Sequence, residues 1–380
     1  MSEFQAAARL RGIEKSLIRQ LFDRALPDSI NLGLGEPDLP TPDVIRRAAA
    51  RIVTEEQNGY TTHAGLPALR ERVAADYAYL ENRPERVIIT AGSQEALYLA
   101  LLTIVDAGDE VLLPDPGFVA YPTIVRMAGG VPVFYKLPAA NDFRFDAEDF
   151  RRKLSPRTKL VVTISPSNPT GRTLTTSDLA AMAEILQGNN SPYVISDEIY
   201  RELYYTETRP ASLSDFYTKT LVISGLSKSM SMTGWRVGWL CGDEAVINSA
   251  LILHGYVTTC ASTVSQKTAA RAAWTNEAMT AREAMREIFR ERREHLLALV
   301  ASELNLRAVA PDGAFYTMID TSAYGTSMQV AEAMLEAGVI TVPGAAFGKE
   351  CENYLRVSFC ADKLALTEGV RRMKEALKSL

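Results

Sequence analysis

Nowhere in the 380 residues is there an apolar run approaching the roughly 20 residues that span a bilayer. The first 11 residues carry charges and lack an apolar core of signal-peptide length. A soluble, cytoplasmic protein is the expectation. Histidine is scarce, with only His63, His254 and His295, and the four cysteines form no C-x-x-C pair and no Cys/His metal spacing. That disfavours a dedicated zinc site, and Cys241, Cys260, Cys351 and Cys360 read as reduced thiols. Basic residues do not cluster, and the net charge is −5, so nucleic acid is not the expected partner. Internal repeats and low-complexity tracts are also missing.

What is present is an ordinary globular composition in a chain too long for one compact core, so about two domains are expected. Between residues 85 and 239 short apolar runs alternate with helical patterns, as in an α/β sheet with crossover helices. Strands are predicted at 87–90, 110–114, 131–137, 159–165, 193–197, 220–224 and 236–242, several of them apolar on both faces. Helical spacing of Ala96, Leu97, Ala100, Leu101 and Ile104 predicts a helix over 93–105, and a second over 175–186 is closed by Gly188. Beyond Cys241 the texture changes. Residues 276–304 read as one long Arg- and Glu-rich helix with a wet face. A smaller α+β unit follows, with strands near 314–319 and 354–359 and a last helix from Asp362. The N-terminal segment, carrying Leu10, Ile13, Leu17, Ile18 and Leu21, is too short to fold alone and should dock on that unit. The expected division is a large domain over 40–280 and a small one from 1–39 with 281–380.

Chemistry concentrates in a few places. Lys228 sits in a Ser-rich run just past a buried strand, where α/β sheets bind ligands. A surface loop is the commoner explanation of a lone lysine of this kind. A buried one needs an anion or a covalent bond to offset its desolvation. Asp197 ends an apolar strand, where an unpaired carboxylate is expensive, and a helix N-cap is its ordinary explanation. Tyr200, three residues on, can share its pocket if the segment turns helically. Ala91-Gly92-Ser93-Gln94 lies between a strand and a helix, where free backbone N–H groups suit either a phosphate or a simple Ser93 N-cap. Arg356 is flanked by apolar residues on a predicted strand, so its guanidinium needs a partner, best a carboxylate held bidentately, and a structural salt bridge is the commoner explanation. Gly33-x-Gly35 is a poor dinucleotide fingerprint, because Asp38 stands where the third glycine belongs.

The run Ser224-Gly225-Leu226-Ser227-Lys228 through Gly234-Trp235-Arg236 closely resembles the Ser-x-x-Ser-Lys…Gly-Trp-Arg motif of fold-type I pyridoxal-phosphate (PLP) enzymes. The resemblance is to class I/II aminotransferases of the aspartate/aromatic kind. Further matches follow in the family's order: Asn31 to Asp38, Tyr60 before Gly65 to Arg70, Pro166 to Gly171, Ser196 to Tyr200, and Leu355 to Phe359. Each is weak alone, but the ordered set is specific and covers nearly the whole chain.

The resemblance implies a large domain with a mostly parallel seven-stranded sheet and a smaller α+β domain. It implies pyridoxal 5'-phosphate held on Lys228 as a Schiff base, with Asp197 pairing the pyridine nitrogen. Asn168 and Tyr200 would bond the phenolic oxygen, and Phe118 would stack on the ring. Gly92, Ser93, Gln94, Ser227 and Arg236 would surround the phosphate. Tyr60 would reach the neighbouring subunit's phosphate in a homodimer. Arg356, with Gly35 and Asn168, would hold the substrate α-carboxylate. The implied reaction moves an amino group from an L-amino acid to a 2-oxo acid such as 2-oxoglutarate, with ping-pong kinetics and Lys228 as general base and acid. A C–S β-lyase on the same fold is the rival reading. A non-catalytic sensor would need a DNA-binding module, for which the first 30 residues are too few.

Three positions depart from the pattern. Gly225 stands where many relatives carry a phosphate-binding serine, leaving Ser224 or Ser227 to compensate. Phe118 replaces a more usual Tyr or Trp. Ser93 occupies a position where some aspartate-using relatives carry a basic residue, which opens the donor to neutral or aromatic amino acids.

Overall fold

Continuous aliphatic runs in the middle of the chain pair into one sheet because neither of their faces can be left in water. A computed structural model describes residues 5–188 and 190–380, so the first four residues of the segment expected in the small domain lie outside the described residues. The strands are β1 (Ile30–Asn31), β2 (Val87–Thr90), β3 (Glu110–Asp115), β4 (Val131–Lys136), β5 (Thr158–Ile164) and β6 (Tyr193–Asp197). There follow β7 (Thr220–Gly225), β8 (Gly238–Cys241), β9 (Tyr316–Asp320), β10 (Val339–Ile340), β11 (Val342–Pro343) and β12 (Tyr354–Ser358).

The main sheet has seven strands in the order β2-β8-β7-β6-β5-β3-β4. Only β8 runs against its neighbours, so the expected mostly parallel sheet is found. Leu160, Val161 and Val162 on β5 and Val194 and Ile195 on β6 are fully shielded from solvent. Each such side chain contributes roughly 1.5–3 kcal/mol of burial. Helices Ser93–Ile104, Glu244–Val257 and Asn276–Leu299 share one apolar core with this sheet. The strand expected at 236–242 begins two residues later, because Arg236 takes φ 53°, outside any strand conformation.

The long helix buries Ala278, Met285, Phe289, Arg292 and Leu296 along one face, as its charge pattern requires. It stops at Leu299 rather than 304; Val300–Leu304 form a π turn that ends at left-handed Asn305. The smaller part pairs β11, β12 and β9 antiparallel. The N-terminal segment docks there, as expected. β1 runs parallel to β10, Leu21 of helix Leu17–Asp23 packs with Leu335 and Ile340, and Arg24 forks onto Glu332. Among the described residues no helix is long and apolar enough to cross a membrane.

Candidate active site

Parallel strands deliver their C-terminal ends to one edge of the sheet, and there a cavity of about 410 Å³ opens. Asp197 is the last residue of β6, Asn168 follows β5, and Lys228 lies in the turn three residues beyond β7. All three line the cavity, together with Ser93, Gln94, Phe118, Tyr200, Ser227, Arg236, Gly35 and Arg356.

Asp197 is almost fully buried. Its carboxylate accepts the Tyr121 hydroxyl at 2.9 Å and the Ile199 N–H at 3.2 Å. Burial, only partly opposed by those two donors, pushes its carboxyl up to about 6. No α-helix starts at Asp197, so the N-cap alternative is replaced by a carboxylate that braces a turn. Tyr200, on that turn, shares a hydroxyl–hydroxyl bond of 3.0 Å with Tyr316.

The Lys228 ammonium donates to the Gly35 carbonyl at 2.8 Å and faces the Phe315 ring at 6.0 Å. Burial pushes its pKa down, with the positive charges of Arg236 and Arg356 adding to the shift. A lysine so enclosed is not the surface-loop residue that its Ser-rich neighbourhood permits.

Arg356 lies on β12, 3% exposed, between the rings of Tyr316 at 4.4 Å and Phe347 at 4.7 Å. Its two Nη atoms donate to the Asn168 Oδ1 at 2.8 Å and the Gly33 carbonyl at 2.5 Å. Its Nε has no partner, and among the described residues no carboxylate bonds or pairs with it, which removes the structural salt bridge as an explanation. Burial pushes the guanidinium pKa down. Gly35 is required beside it: a Cβ there would fall on the Tyr316 hydroxyl.

At the other end, Gly92 with φ 86° is the N-cap of helix Ser93–Ile104, so Ser93 is the first helical residue and not the cap. The Ser93 and Gln94 backbone N–H groups therefore belong to the unpaired set at a helix start. Arg236 closes this end, its Nη1 donating to the Thr233 carbonyl at 2.8 Å and its Nη2 to the Ala91 carbonyl at 3.2 Å. A Cβ on Gly92 would lie 2.5 Å from that Nη2. Of the two serines weighed against Gly225, Ser227 lines the cavity, whereas the Ser224 hydroxyl donates to the Glu198 carbonyl at 3.1 Å.

Tyr60 does not line the cavity of the single chain; it is 88% exposed. Other contributors were not foreseen. Tyr121, which holds Asp197, stands three residues after Phe118 and packs edge-on against it at 5.5 Å, a helical spacing that could have been read. Tyr316 carried no such signal. Ser16, Ile18, Arg19 and Phe22 form the outer wall from the N-terminal segment.

A mostly parallel sheet whose strand ends carry a desolvated lysine beside a buried aspartate, with an unpaired arginine across the cleft, is the frame of the fold-type I transferases. The sequence matches the family of aminotransferases of class I and II over residues 27–373. The chain belongs to that family and is an aminotransferase; the family uses PLP. It is 36% identical to an aspartate aminotransferase of Pyrococcus horikoshii, covering 98% of this chain and 97% of that one. It is 34% identical to an aromatic-amino-acid aminotransferase of Thermococcus litoralis, covering 97% of both. The solved aspartate aminotransferase of Thermus thermophilus with maleate superposes with a TM-score of 0.93 at 34% identity, covering 98% of this chain and all of that one.

Proposed function

We propose that the protein transfers the amino group of an L-amino acid to 2-oxoglutarate, with PLP bound through Lys228, by a ping-pong cycle. The observation that carries this reading is Arg356: a buried fork with an idle Nε and no acidic partner among the described residues, in the same cavity as Lys228 and Asp197. Such a group is suited to the α-carboxylate that every amino-acid and 2-oxo-acid substrate presents.

The donor set fits the cofactor. Asp197, buried with only neutral donors, suits a protonated pyridine nitrogen, and Asn168 and Tyr200 suit the phenolic oxygen. Gly92, Ser93, Gln94, Ser227 and Arg236 supply the chemistry of a phosphate cradle, and Phe118 an apolar face for the ring. When bound, PLP supplies an aldehyde that condenses with amines and a ring that draws electrons from the α-carbon. The protein's part is positional and protonic. Arg356, Gly35 and Asn168 orient the substrate carboxylate, and Lys228 Nζ takes the α-proton. Burial favours the free amine at Lys228, which readies it as a base. Ionised Asp197 supplies the fixed negative charge that keeps a ring nitrogen protonated.

The same reading extends to assembly and layout. A homodimer is supported by a wet apolar surface: Tyr60 is 88% exposed, Tyr256 92%, Ile252 65% and Val257 55%. These share one face, since the Thr263 hydroxyl donates to the Gly59 carbonyl at 2.6 Å and Gly255 lies against His63. Tyr60 would then serve the partner's phosphate. Domain limits of 40–280 and of 1–39 with 281–380 accord with the sheets each encloses. The expected location is the cytoplasm.

Purified protein supplied with PLP, single L-amino acids and 2-oxoglutarate should form L-glutamate, with parallel double-reciprocal plots. Pyruvate and a thiol released without any oxo acid would replace this reading with the lyase. No glutamate from any donor would eliminate 2-oxoglutarate as acceptor.

A further inference from the structure

Behind the phosphate cradle, outside the cavity lining, lies a carboxylate that the reaction does not use. Glu95 is the third residue of helix Ser93–Ile104. Its Oε2 accepts the Ala91 N–H at 2.5 Å. Its Oε1 accepts the Thr258 hydroxyl at 2.5 Å and lies 2.9 Å from His254 Nδ1. An ionised carboxylate only accepts, so Nδ1 carries the imidazole hydrogen. His254 is fully buried, and its Nε2 has no partner. Burial pushes the Glu95 carboxyl up, but the bonds from His254, Thr258 and Ala91 together hold it below the usual range, so it is ionised at neutral pH.

The residue it grips is the hinge of the cradle. The Ala91 carbonyl takes Arg236 Nη2, and Ala91 is followed by Gly92, from which the helix N–H groups start. One peptide segment therefore fixes both the guanidinium and the helix N-terminus. A capping glutamate would bond the N-cap N–H itself; Glu95 reaches one residue further back, to Ala91.

We propose that Glu95, clamped by His254 and Thr258, is a positioning residue that aims Arg236 and the first N–H groups of the helix at the phosphate of the cofactor. This rests on the PLP reading above. Its distinguishing consequence is selectivity for the phosphate. A residue that merely caps the helix would alter stability and leave the phosphate's contribution untouched.

The test compares PLP with pyridoxal, which lacks the phosphate, in absorbance titrations of the full-length protein freed of cofactor. Glu95→Ala should raise the Kd for PLP roughly tenfold, about 1.4 kcal/mol, with pyridoxal unchanged. Glu95→Gln, which keeps an acceptor for the Ala91 N–H, should recover most of the loss. Thr258→Val removes one clamp at small structural cost and should shift PLP alone, by a smaller factor. It decides the matter if Glu95→Ala does not fold. Equal losses for both aldehydes, no loss, or tighter PLP binding through relief of charge repulsion would each overturn the proposal. A wild-type protein that takes up neither aldehyde would sink the cofactor reading and this proposal with it, whereas uptake without selectivity in the variants sinks only the positioning role.

Discussion

Asp197 and Glu198 are adjacent and both buried, and burial lifts both carboxyls, but they are partnered differently. Glu198 faces a separate, small cavity, 3.1 Å from Arg201 Nη1, with the Ser196 and Ser212 hydroxyls donating to its other oxygen at 3.0 and 2.5 Å. Asp197 faces the large cavity with a phenol and one backbone N–H and no cation bonded to it. Arg356 and Lys228, also in the large cavity, likewise bond only to neutral acceptors. Pairing offsets the desolvation of a buried charge, and leaving it unpaired is costly. A fold that meets this demand behind the sheet and forgoes it three times in one cleft holds those charges ready for something that binds. The contrast separates charges kept for structure from charges kept for a ligand.

The largest effect that can break the contrast belongs to Lys228. Lys228→Ala should lower turnover on the order of a thousandfold or more, since it removes the proton-transfer base. Borohydride-treated, denatured variant should also lose the cofactor's covalent absorbance. Unchanged labelling would move the attachment to another lysine and leave Lys228 as a half-buried structural cation.

The two carboxylates should part company on stability. The Asp197 carboxyl, ordinarily at 3.8, is lifted to about 6 by burial, so between those values the folded chain binds more protons than the unfolded one. Stability of cofactor-free protein should therefore fall as pH rises from about 4 to 6 and level off above. The loss is up to about 3 kcal/mol. Asp197→Asn should remove that group's share of the fall, leaving the shares of the likewise raised Glu198 and Asp115 carboxyls, and be the more stable protein at pH 7, with the gain vanishing near pH 4. Glu198→Gln should instead lose about 3 kcal/mol at pH 7, because Arg201 is left buried and unpaired. Urea midpoints across that pH range check both. If the two variants shift in the same direction at pH 7, the distinction between them fails.

Legibility in the sequence followed the same divide between sheet and cleft. Most of the seven strands were readable because burial on both faces writes a short apolar run, as in Leu160 to Val162, whereas β4, largely exposed, was readable from its β-branched and aromatic residues. β1, β10 and β11 were not, because two residues carry no periodicity. In the cleft, Lys228, Asp197 and Arg356 announced themselves as charges among apolar neighbours. Tyr316 and Tyr121 did not, since a buried tyrosine reads as core until its hydroxyl partner is seen. Ile18 was read only as a docking residue, yet its helix also walls the cavity. One side chain can serve two surfaces, and an apolar pattern reports only that it is covered. The unforeseen role of Glu95 has a related cause: at the third helical position it looks like an ordinary first-turn acid.

Arg356 offers the smallest and most selective effect. Its guanidinium keeps two donors on Asn168 and Gly33, and its Nε is idle. Lysine places one ammonium in that space, without the planar fork, so it cannot hold both protein acceptors and grip a carboxylate. Arg356→Lys should raise KM for both the amino donor and the oxo acid by roughly ten- to a hundredfold, about 1.4–2.7 kcal/mol. The Kd for PLP should stay near that of the wild type. Stability should not fall as it does for Glu198→Gln, because no buried counter-charge is abandoned. A matching loss of cofactor affinity would show that Arg356 supports the whole cleft, and a stability loss as large as that of Glu198→Gln would put it among the structural charges.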